Sequence, residues 1–363
     1  MPSSIEIQSA PDSETAAPQA STLVELLRLR ARRQPEQTAY TFLADGEREE
    51  LSLTYAQLER RARSVAAYLQ HTGARGERVM LLYPPGLDFV AGFFGCLFAG
   101  AVAVPAYPPR ANQNLLRLQT IVEDTRPVAV LTNSSVLPKV DAFCERVPGL
   151  KTLRWLATDE ADDRHAELWR APSLTPDSLA FLQYTSGSTS APKGVMVTHG
   201  NLLANERVIQ HAFRQTEESV IVGWLPFYHD MGLIGNVLQP LYLGARCVLM
   251  SPLAFLQKPL RWLEAVSRYR ATTSGGPNFA YELCARKVTA EQRAALDLSS
   301  GEVAFNGAEP IRADTLEMFA EAFAECGFRR EAFHPCYGLA EATLIVSGTK
   351  LAREHTVKEL RAS

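Results

Sequence analysis

Short apolar runs alternate with amphipathic helical patterns along most of this chain, and nothing else in the sequence restricts the fold as tightly. The runs at 79–83, 128–132, 179–184, 220–225 and 247–250 are strand-length and apolar almost throughout, not at every second residue. A strand of that kind is buried on both faces, as in a mostly parallel sheet covered by helices, so the pattern predicts an α/β fold. Helix starts are marked as well. Thr22 and Thr54 are each followed three residues later by a side chain able to reach back, Glu25 and Gln57. Apolar faces follow, formed by Leu23, Leu26 and Leu27 in one case and by Leu58, Ala62, Val65 and Leu69 in the other. A further helix is expected near 115–123. At 363 residues the chain exceeds what one hydrophobic core organises, which predicts two packed lobes. The acidic, proline-containing stretch 158–176 predicts their junction, with a second sheet unit beginning at Leu179.

Composition removes several functional classes. A net charge of −3 with 21% charged residues leaves no broad basic surface, so no nucleic acid partner is expected. Residues 89–109 carry no charge over about the length of a bilayer core. Pro105, Pro108 and Pro109 nevertheless end any helix near Ala103, and Gly92, Gly95 and Gly100 suit a helix packed closely on a sheet. A buried helix followed by a strand is predicted there, and no integral membrane segment. The cysteines at 96, 144, 247, 284, 326 and 336 form no CxxC pair and lie in apolar segments, as reduced structural thiols do. The first basic residue is Arg28, which leaves no charged-then-apolar leader, and residues 1–20 are rich in Ser, Pro and Ala, as in a disordered tail.

The chemistry is concentrated in the stretch YTSGSTSAPKGV at 184–195, a hydroxyl-rich loop between two apolar strands. Thr185, Ser186, Ser188 and Thr189 offer hydroxyl donors, Gly187 lets backbone amides curl inward, and Lys193 adds positive charge, which together make an anion cradle suited to a triphosphate. The sequence is not a P-loop, because that motif needs Gly before the lysine and Ser or Thr after it, whereas Pro192 and Gly194 stand here. A solvated turn is the plain alternative, but such turns rarely join a Pro-Lys-Gly exit to this many hydroxyls.

This loop resembles the phosphate-binding signature of the adenylate-forming superfamily of acyl-CoA synthetases, luciferases and nonribosomal adenylation domains. LPFYHDMGLI at 225–234, GGPNF at 275–279, NGAEP at 306–310 and YGLAE at 337–341 resemble the later motifs of that superfamily, in the same order. The wording around His229, Asp230, Met231 and Gly232, and from Glu341 to Leu344, is most similar to fatty acyl-AMP ligases. The resemblance implies two stacked, mostly parallel sheets in a five-layered αβαβα arrangement. It implies ATP and Mg2+ as cofactors, a fatty acid as substrate, and an acyl carrier protein as acceptor, in lipid, polyketide or nonribosomal peptide biosynthesis. Mapped onto the chain, it gives residues 21–170 as a first α/β subdomain, 171–350 as a second with the ATP and acyl sites, and 351–363 as the start of a truncated segment. The superfamily's ribose-binding Asp, later part of the large domain and small C-terminal domain with its lysine have no counterpart here. The chain is therefore expected to be a fragment with little activity of its own.

Roles follow from the same resemblance. Glu341 matches the magnesium-binding glutamate, and a hard divalent ion bridging phosphates suits a carboxylate. Tyr337 with Gly338 matches the adenine-stacking aromatic, and Asn306, Gly307, Ala308, Glu309 and Pro310 match the backbone wall around the base. Ala340 stands where the wider superfamily commonly has Thr. His229 falls beside the acyl carboxylate, where an imidazole can donate a hydrogen bond, with Asp230, Met231, Gly232, Gly276 and Phe279 around the acyl group. Trp224, Phe227, Met231, Leu233, Ile234 and Phe279 suggest an apolar slot, although the same residues suit plain core packing. Catalytic roles are thus expected for Lys193, His229 and Glu341. An acyl-CoA or aryl-CoA ligase is the nearest rival, and a binding module without turnover is a rival of another class. A serine hydrolase is disfavoured because no Gly-x-Ser-x-Gly occurs. The absent leader and the need for ATP give a cytoplasmic expectation.

Overall fold

The computed structural model of the protein describes residues 19–107, 115–185 and 192–349. The expectations for the tail, for Ser186, Gly187, Ser188 and Thr189, and for 351–363 concern residues that lie wholly or almost wholly outside that set.

The described strands are β1 (Thr38–Leu43), β2 (Glu50–Thr54), β3 (Arg78–Leu81), β4 (Val102–Pro105), β5 (Ala129–Thr132), β6 (Arg154–Ala157) and β7 (Leu179–Thr185). They continue with β8 (Lys193–Thr198), β9 (Val220–Gly223), β10 (Arg246–Met250), β11 (Thr273–Gly276), β12 (Val303–Asn306), β13 (Phe333–Gly338) and β14 (Ile345–Gly348). Two sheets result, one ordered β6-β5-β3-β4-β7-β8 and the other β14-β13-β12-β11-β9-β10-β1-β2. Only the pairs β1/β2, β7/β8 and β13/β14 run antiparallel among the described strands. The predicted fold of two mostly parallel sheets with helices is therefore present.

Alternation of side chains explains how the apolar strands are spent. On β3, Val79 and Leu81 enter the core shared by both sheets, while Met80 packs on the other face with Val104 and Val130. The helix Leu116–Thr125 covers that second face with Leu118, Ile121 and Val122. The helices Leu23–Arg33, Tyr55–His71 and Leu87–Ala99 fill the shared core. The uncharged run is the helix Leu87–Ala99 followed by β4, and among the described residues no helix is long and apolar enough to cross a membrane. All six cysteines are free.

The sheets are not separated at residue 170, and the second sheet unit does not begin at Leu179. β7 joins β4 in the six-stranded sheet, whereas β1 pairs with β10 in the eight-stranded one. Pairing partners about two hundred residues apart leave no trace in a local apolar run, which is why the interleaving was not predicted. The helix caps are largely as expected. Thr54 and Gln57 form a reciprocal capping box, while the Glu25 carboxylate passes Thr22 and accepts from the backbone N and hydroxyl of Ser21.

One interlock has a measurable pH signature. His199 opens the helix His199–Phe213, is buried, and accepts the Leu23 backbone N–H at Nδ1, 3.2 Å away. Burial pushes its pKa down to about 4, opposed by Glu25. The neutral ring is the folded form, so its stabilisation is complete above the unfolded value near 6.5 and is lost as pH falls through 4. The unfolding free energy should fall over that window, by up to about 3 kcal/mol from this group. A His199→Asn variant, which keeps an acceptor, should show a flatter profile, and profiles of equal slope would contradict the assignment.

Candidate active site

The parallel strands of the two sheets present their C-terminal ends to one cleft of about 810 Å³. His229, Asp230 and Met231 follow β9, Phe279 follows β11, Ala308 follows β12, and Leu339, Ala340 and Glu341 follow β13. The six-stranded sheet adds Tyr107 after β4, and Gln183, Tyr184 and Thr185 from the end of β7. Ligands of parallel α/β sheets bind at such strand ends, because the loops there converge while the strands stay rigid. His229, Asp230, Met231 and Ala308 also wall a second cavity of about 200 Å³. It is lined by Gly307, Tyr337 and Gly338 and by the apolar Ile209, Phe213, Phe305, Leu344 and Ile345.

The His229 turn is built by backbone. The His229 N–H donates to Pro226 O at 3.1 Å, the Leu233 N–H donates to His229 O at 2.8 Å, and a π-helix, Met231–Leu238, follows. Gly232 is required, since a Cβ there would stand 2.0 Å from Pro226 O. Asp230 Oδ1 lies 2.7 Å from both His229 Nδ1 and the Met231 N–H. Met231 N also lies 3.2 Å from His229 Nδ1, but that nitrogen cannot accept there while it donates to the carboxylate, and the shorter carboxylate contact decides the tautomer. Nδ1 therefore carries a proton, and the half-exposed ring offers Nε2 to the cleft. Asp230 was expected among the acyl contacts, and the structure gives it a further task, orienting His229 and capping Met231.

The remaining expected residues divide into several groups. Tyr337 is 62% exposed, which leaves its ring free to stack, and Glu341 is exposed at the cleft wall. Ala308 holds φ at 68°, a left-handed conformation that costs a non-glycine residue and turns the backbone after β12 toward both cavities. Glu309 accepts the Phe279 N–H at 2.6 Å and so ties that turn to the helix Asn278–Lys287. Gly276 makes room for Trp224, since a Cβ would stand 2.6 Å from its Cζ2. Lys193, Gly232, Gly276, Asn306, Glu309 and Pro310 line neither cavity. Lys193 faces Thr185 across the β7/β8 pair, so Thr185 alone of that hairpin's expected residues reaches the cleft within the described set. Of the apolar slot, Trp224, Met231 and Phe279 line the cleft, while Phe227, Leu233 and Ile234 are spent on the core.

Sequence reasoning missed what holds the end of β7. The Tyr184 hydroxyl donates to Asp124, and Arg117 Nη2 donates to Tyr184 O at 3.0 Å. Both partners come from the helix Leu116–Thr125, sixty or more residues away, so no local pattern announced them. The described residues hold no group of three His, Cys, Asp or Glu arranged for a metal, and of the two carboxylates on the cleft wall Asp230 is engaged by His229 and the Met231 N–H, which leaves Glu341 as the hard oxygen donor not tied to that turn. One carboxylate is a donor set that suits a magnesium ion held mostly by phosphate and water.

A model of AMP-binding enzymes matches residues 27–360. The chain is 47% identical over 349 residues to JamA of Moorena producens (strain JHB), a medium-chain fatty acid–acyl carrier protein ligase, covering 95% of this chain and 59% of the relative. It is 39% identical to FadD32 of Mycolicibacterium smegmatis, a long-chain fatty acid–AMP ligase, covering 94% of this chain and 56% of the relative. The fatty acyl-adenylate ligase of L. pneumophila, solved with acyl adenylate and pyrophosphate, superposes with a TM-score of 0.87 at 46% identity, over 92% of this chain and 58% of that one. The chain thus spans less than three-fifths of the length of these relatives.

Proposed function

We infer, since the chain belongs to the AMP-binding enzyme family, that it activates a fatty acid with ATP as part of a fatty acyl-AMP ligase. The observation that carries this reading is the wall that the two cavities share. Both are lined mostly by apolar side chains, the larger also holds Thr185 and Glu341, and His229, Asp230, Met231 and Ala308 border both. A carboxylate at the junction puts its head group beside His229 and its tail against Phe213 and Phe305. The carboxylate oxygen attacks the α-phosphorus of ATP, forming the acyl phosphate bond as pyrophosphate leaves. Two such anions at about 4 Å repel by about 4 kcal/mol at an effective dielectric near 20. His229, its Nδ1 held by Asp230, faces the acyl carboxylate through Nε2, and a proton on that nitrogen would donate to the carboxylate and offset part of that repulsion. Thr185 at the end of β7 would do so at the phosphates, together with Lys193 and the hydroxyl loop if these turn toward the cleft when nucleotide binds. Glu341 would hold a magnesium ion, which would supply charge neutralisation at the phosphates. The thiol of a carrier-protein phosphopantetheine then takes the acyl group and AMP leaves. The need for ATP places the protein in the cytoplasm.

Acid-dependent exchange of labelled pyrophosphate into ATP by the complete ligase tests this reading. Straight-chain fatty acids should support exchange, with capture of the acyl group by a carrier protein in preference to CoA. Exchange with aryl or amino acids alone would overturn it. The nucleotide half has its own check. Tyr337→Ala should weaken ATP binding by about tenfold to a hundredfold through loss of stacking, with Tyr337→Phe unaffected and the thermal midpoint of both unchanged. Equal affinity in all three proteins would remove Tyr337 from the nucleotide site.

A further inference from the structure

The smaller cavity is lined mostly by apolar side chains, with Gln215 and Thr273 among its polar ones. Its mouth is the wall shared with the main cleft. Its far side includes Thr273, which lies three residues before the C-terminal end of β11 and so about 10 Å back from that edge. Gln215, just past the helix His199–Phe213, stands against it and donates from Nε2 to Thr273 Oγ1 at 3.2 Å. Both residues are at most 4% exposed.

Behind them runs a buried relay. Gln239 Nε2 donates to Gln215 Oε1 at 2.9 Å, and the other end of the Gln239 amide meets the carboxyl of Glu206. Glu206 is completely buried, and burial holds its carboxyl well above the usual range, so it is neutral and has a hydrogen to donate. A neutral Glu206 donates to Gln239 Oε1, and every later bond then points the same way toward Thr273. The opposite amide orientation of Gln239 would suit an ionised Glu206, which has no buried cation to meet among the described ion pairs. With Thr273 Oγ1 already accepting, its hydroxyl hydrogen remains as a donor at the cavity wall. Gln215 cannot swing aside cheaply, because doing so strips Gln239 and Glu206 of partners in the interior.

We propose that Gln215 and Thr273 form a polar stop at the inner end of the acyl cavity, and so determine the longest tail the site accepts. The proposal rests on the fatty-acid reading of the site and adds the length-determining residues to it. Each methylene laid against Phe213 and Phe305 strengthens binding, by about fourfold at the usual value. A methyl-ended tail that reaches the stop covers an amide and a hydroxyl without returning a hydrogen bond, and the gain reverses. Glu206 and Gln239 act as positioning residues.

The test uses acyl-sulfamoyl-adenosine probes from butanoyl to hexadecanoyl, with affinities for the full chain measured by calorimetry. Affinity should climb by about fourfold per methylene to a break and then fall. At the break, a probe whose terminal methyl is replaced by a hydroxymethyl should bind about tenfold tighter than the methyl-ended probe of the same chain length. In a Gln215→Leu/Thr273→Val variant, which keeps the side-chain volumes, the break should move to longer tails, and probes beyond the native break should gain about tenfold. Shorter probes should stay within about twofold. A break unmoved in the variant, or a hydroxyl end bound no better in the native protein, would overturn the stop while leaving the fatty-acid reading standing. The hydroxyl comparison needs no variant and holds even if the double substitution does not fold. Binding of aryl- or aminoacyl-adenosine probes alone would overturn both.

Discussion

Gly235→Phe should abolish binding of long acyl-adenylates while sparing the shortest. Gly235 lies on the π-helix that follows His229 and lines the apolar cavity, and a Cβ added there meets nothing closer than Leu344 Cδ2 at 3.8 Å. The new ring therefore has room to start and only the cavity of about 200 Å³ to enter. A tail excluded from that space loses about 0.8 kcal/mol for each methylene it no longer buries, so a dodecanoyl probe should weaken by about a hundredfold or more. An acetyl probe has no tail to lose and should change little. The fold should not suffer, because replacing Gly inside a helix recovers about 0.5–1 kcal/mol of propensity. Unchanged dodecanoyl affinity would place the tail elsewhere, with the exposed Leu253, Leu256 and Phe279 at the main cleft as the next surface to probe.

Glu341→Gln should separate chemistry from binding. The side chain is exposed on the cleft wall, so its loss should leave the thermal midpoint unchanged. If it holds the magnesium that neutralises the phosphates, acid-dependent exchange should fall by about a thousandfold, or roughly 4 kcal/mol of barrier. Affinity for an acyl-sulfamoyl-adenosine, which carries no leaving pyrophosphate, should change by less than about threefold. Equal losses in both assays would make Glu341 a contact for the adenylate itself, and no loss in either would remove it from the site.

These outcomes depend on features that were unequally legible in the sequence. The motif positions were readable because each demands a local backbone shape: Gly232 under Pro226 and the left-handed Ala308 both follow from a few adjacent residues. Strand and helix positions were readable for the same reason, since burial on both faces leaves an apolar run wherever it occurs. What the sequence hid was long-range. The membership of β1 in the sheet of β10, the mooring of Tyr184 by Asp124 and Arg117, and the relay from Glu206 to Thr273 all join residues whose neighbours give no sign of the partner. Glu206 reads locally as an ordinary polar helix residue and Gln215 as part of a polar loop. Only their burial shows that they belong to one buried cluster beside the smaller cavity. Asp230 was singled out as a contact, and its orienting bond to His229 Nδ1 appears only once the turn is folded.

The central claim is that one ligand bridges the two cavities, with its adenosine between Glu341 of the main cleft and Tyr337 of the smaller one and its tail past His229 between Phe213, Gly235 and Phe305. The most direct test is a crystal structure of the protein with dodecanoyl-sulfamoyl-adenosine. The account predicts the base stacked on Tyr337, the acyl carbonyl within hydrogen-bond reach of His229 Nε2, and the tail running toward Gln215. A tail lying over Leu253 and Leu256 with the inner cavity still filled by water, or a base remote from Tyr337, would contradict it.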